Sequence, residues 1–142
     1  MNAYADTGFL VSLYSLDTNS SRAASEIGRR NPTLLLTPLG ELELANALEL
    51  RVFRGEARAS EVRTAQTRVR EHIESGFFAL QAMPVSVYGR AEQIARRRTS
   101  HLGLRTLDII HVASALLLQA HLFLSFDRRQ LELARAEGLR TA

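Results

Sequence analysis

The 142-residue sequence is long enough to bury one hydrophobic core, and its 46% apolar and 23% charged content is ordinary for a globular protein. It contains no cysteine, which excludes disulfides, thiolate zinc sites and thiol catalysis. The net charge is +3 and all 18 basic residues are arginine, so every mechanism that needs a lysine side chain is also excluded.

No segment is apolar enough to suggest a membrane span. The longest weakly charged apolar stretch, residues 112–124, is interrupted by Gln119 and His121 and is shorter than the roughly 20 residues needed to cross a bilayer. The N-terminus has no basic start, and Asp6 breaks the first apolar run, so no secretory signal is expected. We expect one domain over residues 1–142, located in the cytoplasm.

Short apolar runs alternate with helical segments along the whole chain. Asn31 and Pro32 stop one helix, Pro38 suits the first position of the next, and Thr106 is expected to cap a later one. The predicted strands are residues 3–5, 33–37, 77–83 and 121–125, with a short fifth strand after Gly138. The predicted helices are a segment through Tyr14, then residues 20–30, 38–53, 60–75, 86–98, 106–119 and 128–137. This alternation predicts an α/β domain with a mostly parallel sheet covered on both faces.

Three of the four aspartates fall where this fold places its ligand sites. Asp6 follows the first strand and Asp127 follows the fourth, so both project from the carboxyl edge of a parallel sheet. Asp108 lies near the start of a helix that begins at the same edge. Each of the three has a structural alternative as a helix cap or a first-turn acid, whereas Asp17 lies in an ordinary loop. Their shared position favours a common acidic site.

A glutamate from the helix that starts at Pro38 is the fourth candidate. At 100° per residue, Glu43 shares a face with Asn46, which would hydrogen-bond it from one turn away, and Glu41 shares another face with Leu48. Periodicity leaves both glutamates open.

Clustered carboxylates repel one another, by on the order of 4 kcal/mol for one pair about 4 Å apart at an effective dielectric of about 20. Without lysine, the repulsion is relieved by arginine, by raised pKa values or by a divalent metal ion. Ligation by oxygen atoms alone favours Mg²⁺ or Mn²⁺ over zinc, and such an ion can activate water against a phosphodiester.

Four segments together resemble the PIN-domain nucleases, and within them the prokaryotic VapC-type toxins: MNAYADTGFLVSLY, TPLGELELANAL, LRTLDIIHVASALLLQA and LFLSFDRRQLELARAEGL. The resemblance covers nearly the whole chain. It assigns the catalytic and metal-binding acids to Asp6, Glu43, Asp108 and Asp127, and thereby selects Glu43 over Glu41.

The resemblance implies an α/β/α sandwich with Mg²⁺- or Mn²⁺-dependent endoribonuclease activity on RNA. It also implies a homodimer and neutralisation by a small VapB-type antitoxin. Thr7 and Ser125 carry hydroxyl groups beside the acids and are expected to assist the metal shell or its waters.

Basic residues before Asp108 are candidate contacts for RNA phosphates: Arg96, Arg97, Arg98 and Arg105. The structural alternative is a solvated helix end. His111 lies one turn after Asp108 and is interpreted as a core residue or as support for a ligand, rather than as a general base.

Other acidic-pocket proteins need residues that this sequence lacks. Receiver domains and haloacid-dehalogenase-like phosphatases require a lysine, and a phosphate-binding loop requires a glycine-rich lysine motif. Two alternatives stay open: a PIN nuclease in RNA processing outside a toxin–antitoxin pair, and an inactive PIN-like module that binds RNA or protein.

Overall fold

The computed structural model describes all 142 residues, as four strands and seven helices that alternate along the chain. The strands are β1 (Asn2–Ala5), β2 (Thr33–Leu36), β3 (Phe78–Leu80) and β4 (Leu122–Leu124). The helices are α1 (Thr7–Tyr14), α2 (Ser20–Arg30), α3 (Pro38–Phe53), α4 (Ala59–Glu74), α5 (Val87–Leu102), α6 (Thr106–Leu117) and α7 (Arg128–Ala136).

The four strands form one parallel sheet in the order β3-β2-β1-β4. Tyr4 in β1 is in register with Leu35 on one side and Phe123 on the other. The predicted α/β fold is therefore confirmed, and every strand pair is parallel. β1 lies between β2 and β4, so its carboxyl end is central to the sheet.

Helices cover both faces of the sheet, because side chains along each strand alternate between two hydrophobic clusters. Ala3 and Ala5 point towards the cluster that includes α1, α2, α3 and α4. Tyr4 points towards the cluster built with α5, α6 and α7. The result is a three-layer α/β/α arrangement. No helix combines the length and the apolar composition that crossing a bilayer would require.

Several predicted boundaries were wrong, each for a local reason. β3 covers only three residues instead of 77–83, because it is an edge strand whose partner β2 ends at Leu36. α5 continues past Arg98 to Leu102 and ends at Gly103, whose φ of 63° is the left-handed conformation that favours glycine. Residues after Gly138 form one isolated bridge, between Phe123 and Thr141, and no fifth strand.

The connections after β1 and β4 leave the sheet towards opposite faces. β1 leads into α1 on one face, and β4 leads into α7 on the other. The backbone N–H of Asp6 still donates to the Leu124 carbonyl oxygen at 3.0 Å, so the segments that follow β1 and β4 separate just beyond this hydrogen bond. Such a divergence creates a crevice at the carboxyl edge, where ligands bind in open parallel sheets.

Candidate functional site

Four carboxylates from four separate parts of the chain line one small cavity at the carboxyl edge of the sheet. The cavity has a volume of about 160 Å³ and contains no arginine in its lining. The structure thus brings together the four acids that the sequence predicted. The residues lining it are Asp6, Thr7, Gly8, Glu43, Leu107, Asp108, His111, Asp127 and Gln130.

Asp6 is the most buried of the four acids, with 4% of its surface exposed. It caps α1: its Oδ1 atom accepts from the Phe9 backbone N–H at 2.8 Å, and its Oδ2 atom accepts from the Ser125 hydroxyl. Burial raises the pKa of the Asp6 carboxyl, and these two hydrogen bonds oppose the rise. An ionised Asp6 in this position therefore favours a nearby positive charge.

Ser125 connects Asp6 to Asp127. The buried Ser125 hydroxyl donates to Asp6 and accepts from the Asp127 backbone N–H at 2.9 Å. Asp127 in turn caps α7 by accepting from the Gln130 backbone N–H at 3.0 Å. A single serine thus fixes both the first and the last of the four acids of the site.

Asp108 lies in the first turn of α6 and is held by Gln130, a residue that the sequence analysis missed. The Gln130 side-chain amide donates to Asp108 Oδ1 at 2.9 Å, and Arg105 Nε lies 3.8 Å from Asp108 Oδ2. The predicted cap of α6 was wrong: Arg105, not Thr106, occupies the cap position, without a side-chain cap hydrogen bond. The sequence offers one weak signal for Gln130, which is a polar residue on the apolar face of α7.

Glu43 faces the cavity, and Glu41 lines a groove between α3 and α4 instead. The predicted hydrogen bond from Asn46 was wrong, because Asn46 is exposed and makes no bond to Glu43. His111 is the neighbour of Glu43: its Nε2 atom lies 2.5 Å from Glu43 Oε1. This close contact pairs Glu43 with His111, although its alignment does not meet hydrogen-bond geometry.

Tyr4 and Thr7 hold the His111 ring beneath the cavity. The Tyr4 hydroxyl lies 2.8 Å from His111 Nδ1, and the Thr7 hydroxyl lies 3.4 Å from Nε2. Burial raises the pKa of Tyr4, so its hydroxyl stays protonated and can donate to Nδ1. That leaves the Nε2 side of the ring facing Glu43, and places His111 in support of an acid, as the sequence suggested.

The donor set fits a hard divalent cation in its chemistry. It consists of carboxylates with two nearby hydroxyls and no thiolate. No group of three or more histidine, aspartate or glutamate side chains already surrounds one point closely enough to hold an ion. Donor chemistry and charge, and not a preassembled ligand cage, therefore favour a metal ion at these acids.

A larger groove of about 370 Å³ adjoins the acids on the side of α1 and α3. Asp6 and Asp127 belong to both cavities, and the groove also includes Arg51, Arg54 and Phe126. Arg51 is paired with Asp17 at 3.5 Å, whereas Arg54 is exposed and makes no ion pair. The groove gives a path of mixed charge and aromatic surface leading to the acids.

The arginines proposed for RNA binding have partners within the protein. Arg96 pairs with Glu92 at 2.7 Å, and both Arg97 and Arg98 pair with Glu137. None of these three lines a cavity next to the acids. Arg105 is the one member of the predicted set that contacts an acid of the site. Binding of RNA by these residues stays a prediction.

The sequence matches the PIN domain family over residues 3–136. The chain therefore belongs to the PIN domain family. No curated protein matches the sequence significantly.

Several solved structures share the fold at low sequence identity. The Mycobacterium tuberculosis protein VapC20, described as a sarcin–ricin loop cleaving toxin, superposes with a TM-score of 0.68 at 15% identity, over 96% of this chain and 95% of that one. VapBC2 from Rickettsia felis, bound to a DNA fragment from its promoter, superposes with a TM-score of 0.68 at 12% identity, over 100% of this chain and 98% of that one. FitAcB from Neisseria gonorrhoeae superposes with a TM-score of 0.67 at 15% identity, over 98% of this chain and 95% of that one. The likeness spans essentially the full length of each chain.

Proposed function

We propose that the protein is an endoribonuclease that depends on Mg²⁺ or Mn²⁺ and acts as the toxin of a VapBC-type toxin–antitoxin pair. The observation that carries this proposal is the convergence of Asp6, Glu43, Asp108 and Asp127 on one cavity that contains no arginine. Apart from His111, which contacts Glu43, no side chain in this cavity can balance four negative charges, so a bound cation or protons on the acids must do so.

The charges around the cavity support a metal ion over a protein cation. Arg105 is the one arginine that contacts any of the four acids of the site, but 83% of its side chain is exposed and its Nε atom lies 3.8 Å from Asp108 Oδ2. An exposed pair of this kind is worth little because solvent screens it. The buried Asp6 forms no ion pair with an arginine, and the one ion-pair partner of Glu43 is His111.

The chain's own residues have distinct tasks in this proposal. The four acids hold the ion, Ser125 orients Asp6 and Asp127, and His111 supports Glu43. A bound divalent ion activates water and stabilises the negative charge that develops on a phosphodiester. The adjoining groove with Arg54 and Phe126 receives the RNA strand next to the acids. Thr7 lines the cavity with its hydroxyl 3.4 Å from His111 Nε2, where it would assist the metal shell or its waters.

The toxin role and the partners draw on the related folds. VapC20 is described as a sarcin–ricin loop cleaving toxin, and another solved structure with this fold, from Klebsiella pneumoniae, is described as a toxin–antitoxin complex. On this basis we infer a small VapB-type antitoxin as a partner of this chain, and from the family resemblance alone we infer a homodimer. A PIN nuclease for RNA processing and an inactive binding module are the competing outcomes of the test below.

Induced expression of the wild-type chain is expected to arrest growth and to produce RNA fragments. Asp6→Asn is the matched variant, and it is expected to permit growth at equal protein level. Co-expression of the proposed small VapB-type antitoxin is expected to restore growth to cells that express the wild-type chain. The measurement is growth together with sequencing of RNA 5′ ends.

Each failure selects a different alternative. RNA fragments without growth arrest would identify a processing nuclease. Normal growth without fragments, from abundant folded protein, would identify a binding module and would contradict the proposal.

A further inference from the structure

Gln130 is a buried polar residue that lines the acidic cavity but is not one of its four acids. It lies in the first turn of α7, and only 4% of its surface is exposed. Its neighbours on the buried face of α7 are Leu133 and Ala134, both fully buried. An apolar side chain of similar length would fill this place without burying an amide, so packing alone does not account for glutamine.

Gln130 binds two acids that come from different elements. Its side-chain amide donates to Asp108 Oδ1 at 2.9 Å, and its backbone N–H donates to Asp127 Oδ1 at 3.0 Å. One residue therefore fixes the acid of α6 relative to the acid at the start of α7. Because both donors are neutral, they orient the carboxylates without cancelling the charge that would attract a cation.

The carbonyl oxygen of the Gln130 side-chain amide has no hydrogen-bond partner. Its Oε1 atom is buried and accepts no hydrogen bond. A buried acceptor without a donor lowers the stability of the folded state. The glutamine is therefore better explained by what its donor group does for Asp108 than by a gain in stability.

Asp108 has a competing partner outside the cavity. Arg105 Nε lies 3.8 Å from Asp108 Oδ2, on a side chain that is 83% exposed. If the amide of Gln130 were absent, Asp108 would be free to turn towards this guanidinium and form a closer ion pair. Such a pair would take the charge of Asp108 away from the other three acids.

We propose that Gln130 is a positioning residue, which holds Asp108 in the acidic cavity and sets its spacing from Asp127 for the divalent ion. This inference rests on the proposed function. It assigns a role in metal binding to a residue that is not itself a ligand.

The test measures Mn²⁺ binding directly, by electron paramagnetic resonance of the free ion, on the purified full-length chain. Gln130→Met keeps the length and apolar bulk of the side chain and retains the backbone N–H that Asp127 uses. It is expected to weaken Mn²⁺ binding by about tenfold, the lower end of the range for residues that orient metal ligands. The melting temperature is expected to stay the same or to rise, because the unpartnered Oε1 atom is removed.

The competition with Arg105 provides a second readout that a purely structural role would not change. Arg105→Ala is expected to improve Mn²⁺ binding more strongly in the Gln130→Met background than in the wild type. This non-additive effect is what a double-mutant cycle measures. Val62→Ala, a core change in α4 away from the cavity, serves as the control for general destabilisation and is expected to leave Mn²⁺ binding unchanged.

The outcomes separate this inference from the proposed function. If the wild type binds Mn²⁺ in a way that Asp6→Asn abolishes, but Gln130→Met binds equally well, the role of Gln130 is overturned and the proposed function stands. If the wild type shows no such binding, both are overturned. Gln130→Leu repeats the measurement should Gln130→Met fail to fold, and equal gains from Arg105→Ala in both backgrounds would also contradict the inference.

Discussion

Asp6→Asn is expected to lower the rate of RNA cleavage by at least about a hundredfold, beyond the range seen when a residue behind a metal ligand is changed. The substitution removes one negative charge from the most buried acid of the cavity. It keeps an Oδ1 acceptor for the Phe9 backbone N–H, so the cap of α1 is retained. The new amide group can donate to the Ser125 hydroxyl, which reverses that hydrogen bond without breaking it.

The folded state of Asp6→Asn is expected to be as stable as the wild type or more stable. Burial raises the pKa of Asp6, which means that its ionised form costs free energy in the folded protein when no metal is bound. A neutral amide avoids this cost. A large loss of cleavage with no fall in melting temperature would therefore assign the effect to the site and not to unfolding.

Glu41→Gln is the matched control for this experiment. It makes the same acid-to-amide change on α3, but at a side chain that faces the groove towards α4. Cleavage by Glu41→Gln is expected to equal that of the wild type. Cleavage by Asp6→Asn at the wild-type rate would show that the four acids are not the catalytic site.

Ser125→Ala is expected to weaken both metal binding and cleavage by about 10- to 100-fold, because it releases two acids at once. The hydroxyl that it removes donates to Asp6 and accepts from the backbone N–H of Asp127. A polar group that is left unpaired inside a protein costs about 1–3 kcal/mol. For a protein of this size, that cost corresponds to a fall in melting temperature of roughly 2–10 °C.

Ser12→Ala separates the two effects of Ser125→Ala. Ser12 is also buried and also donates to an aspartate, but that aspartate is Asp17, outside the acidic cavity. A similar fall in melting temperature with unchanged Mn²⁺ affinity is expected for Ser12→Ala. Equal losses of Mn²⁺ affinity in both variants would mean that Ser125 acts only through stability.

The fold was predictable because hydrophobic pattern and turn residues agree along most of the chain. Asp6 and Asp127 were placed correctly, since both follow strands whose carboxyl ends are neighbours in the sheet. Asp108 followed from the direction of α6. Glu43 needed the family spacing, because the helix α3 is apolar on several sides and periodicity could not choose a face.

What the sequence could not supply were side-chain contacts between distant elements. Gln130 and Asp108 lie on different helices and are 22 positions apart in the sequence, and no periodic pattern predicts the contact between their side chains. The predicted hydrogen bond from Asn46 to Glu43 was wrong for the converse reason. It lies one turn from Glu43 in sequence, but His111 on the other side of the sheet is the residue that the fold brings close to Glu43.

The run of three arginines shows the same limit on charge. In the sequence, Arg96, Arg97 and Arg98 are interpreted as free basic residues near a helix end, whereas the helix continues and two of the three contact Glu137, which directly follows α7. Pairing within the protein reduces the positive charge that they offer to RNA. Arg54, which lines the groove beside the acids and makes no ion pair, is the better placed arginine.

The most direct test of the account is RNA cleavage by the purified wild-type chain before and after metal removal. After treatment with a chelator and its removal, the protein is expected to leave RNA intact, and added Mn²⁺ or Mg²⁺ is expected to restore cleavage to the wild type but not to Asp6→Asn. Undiminished cleavage by the metal-free wild type would contradict the claim that these four acids act through a bound divalent ion.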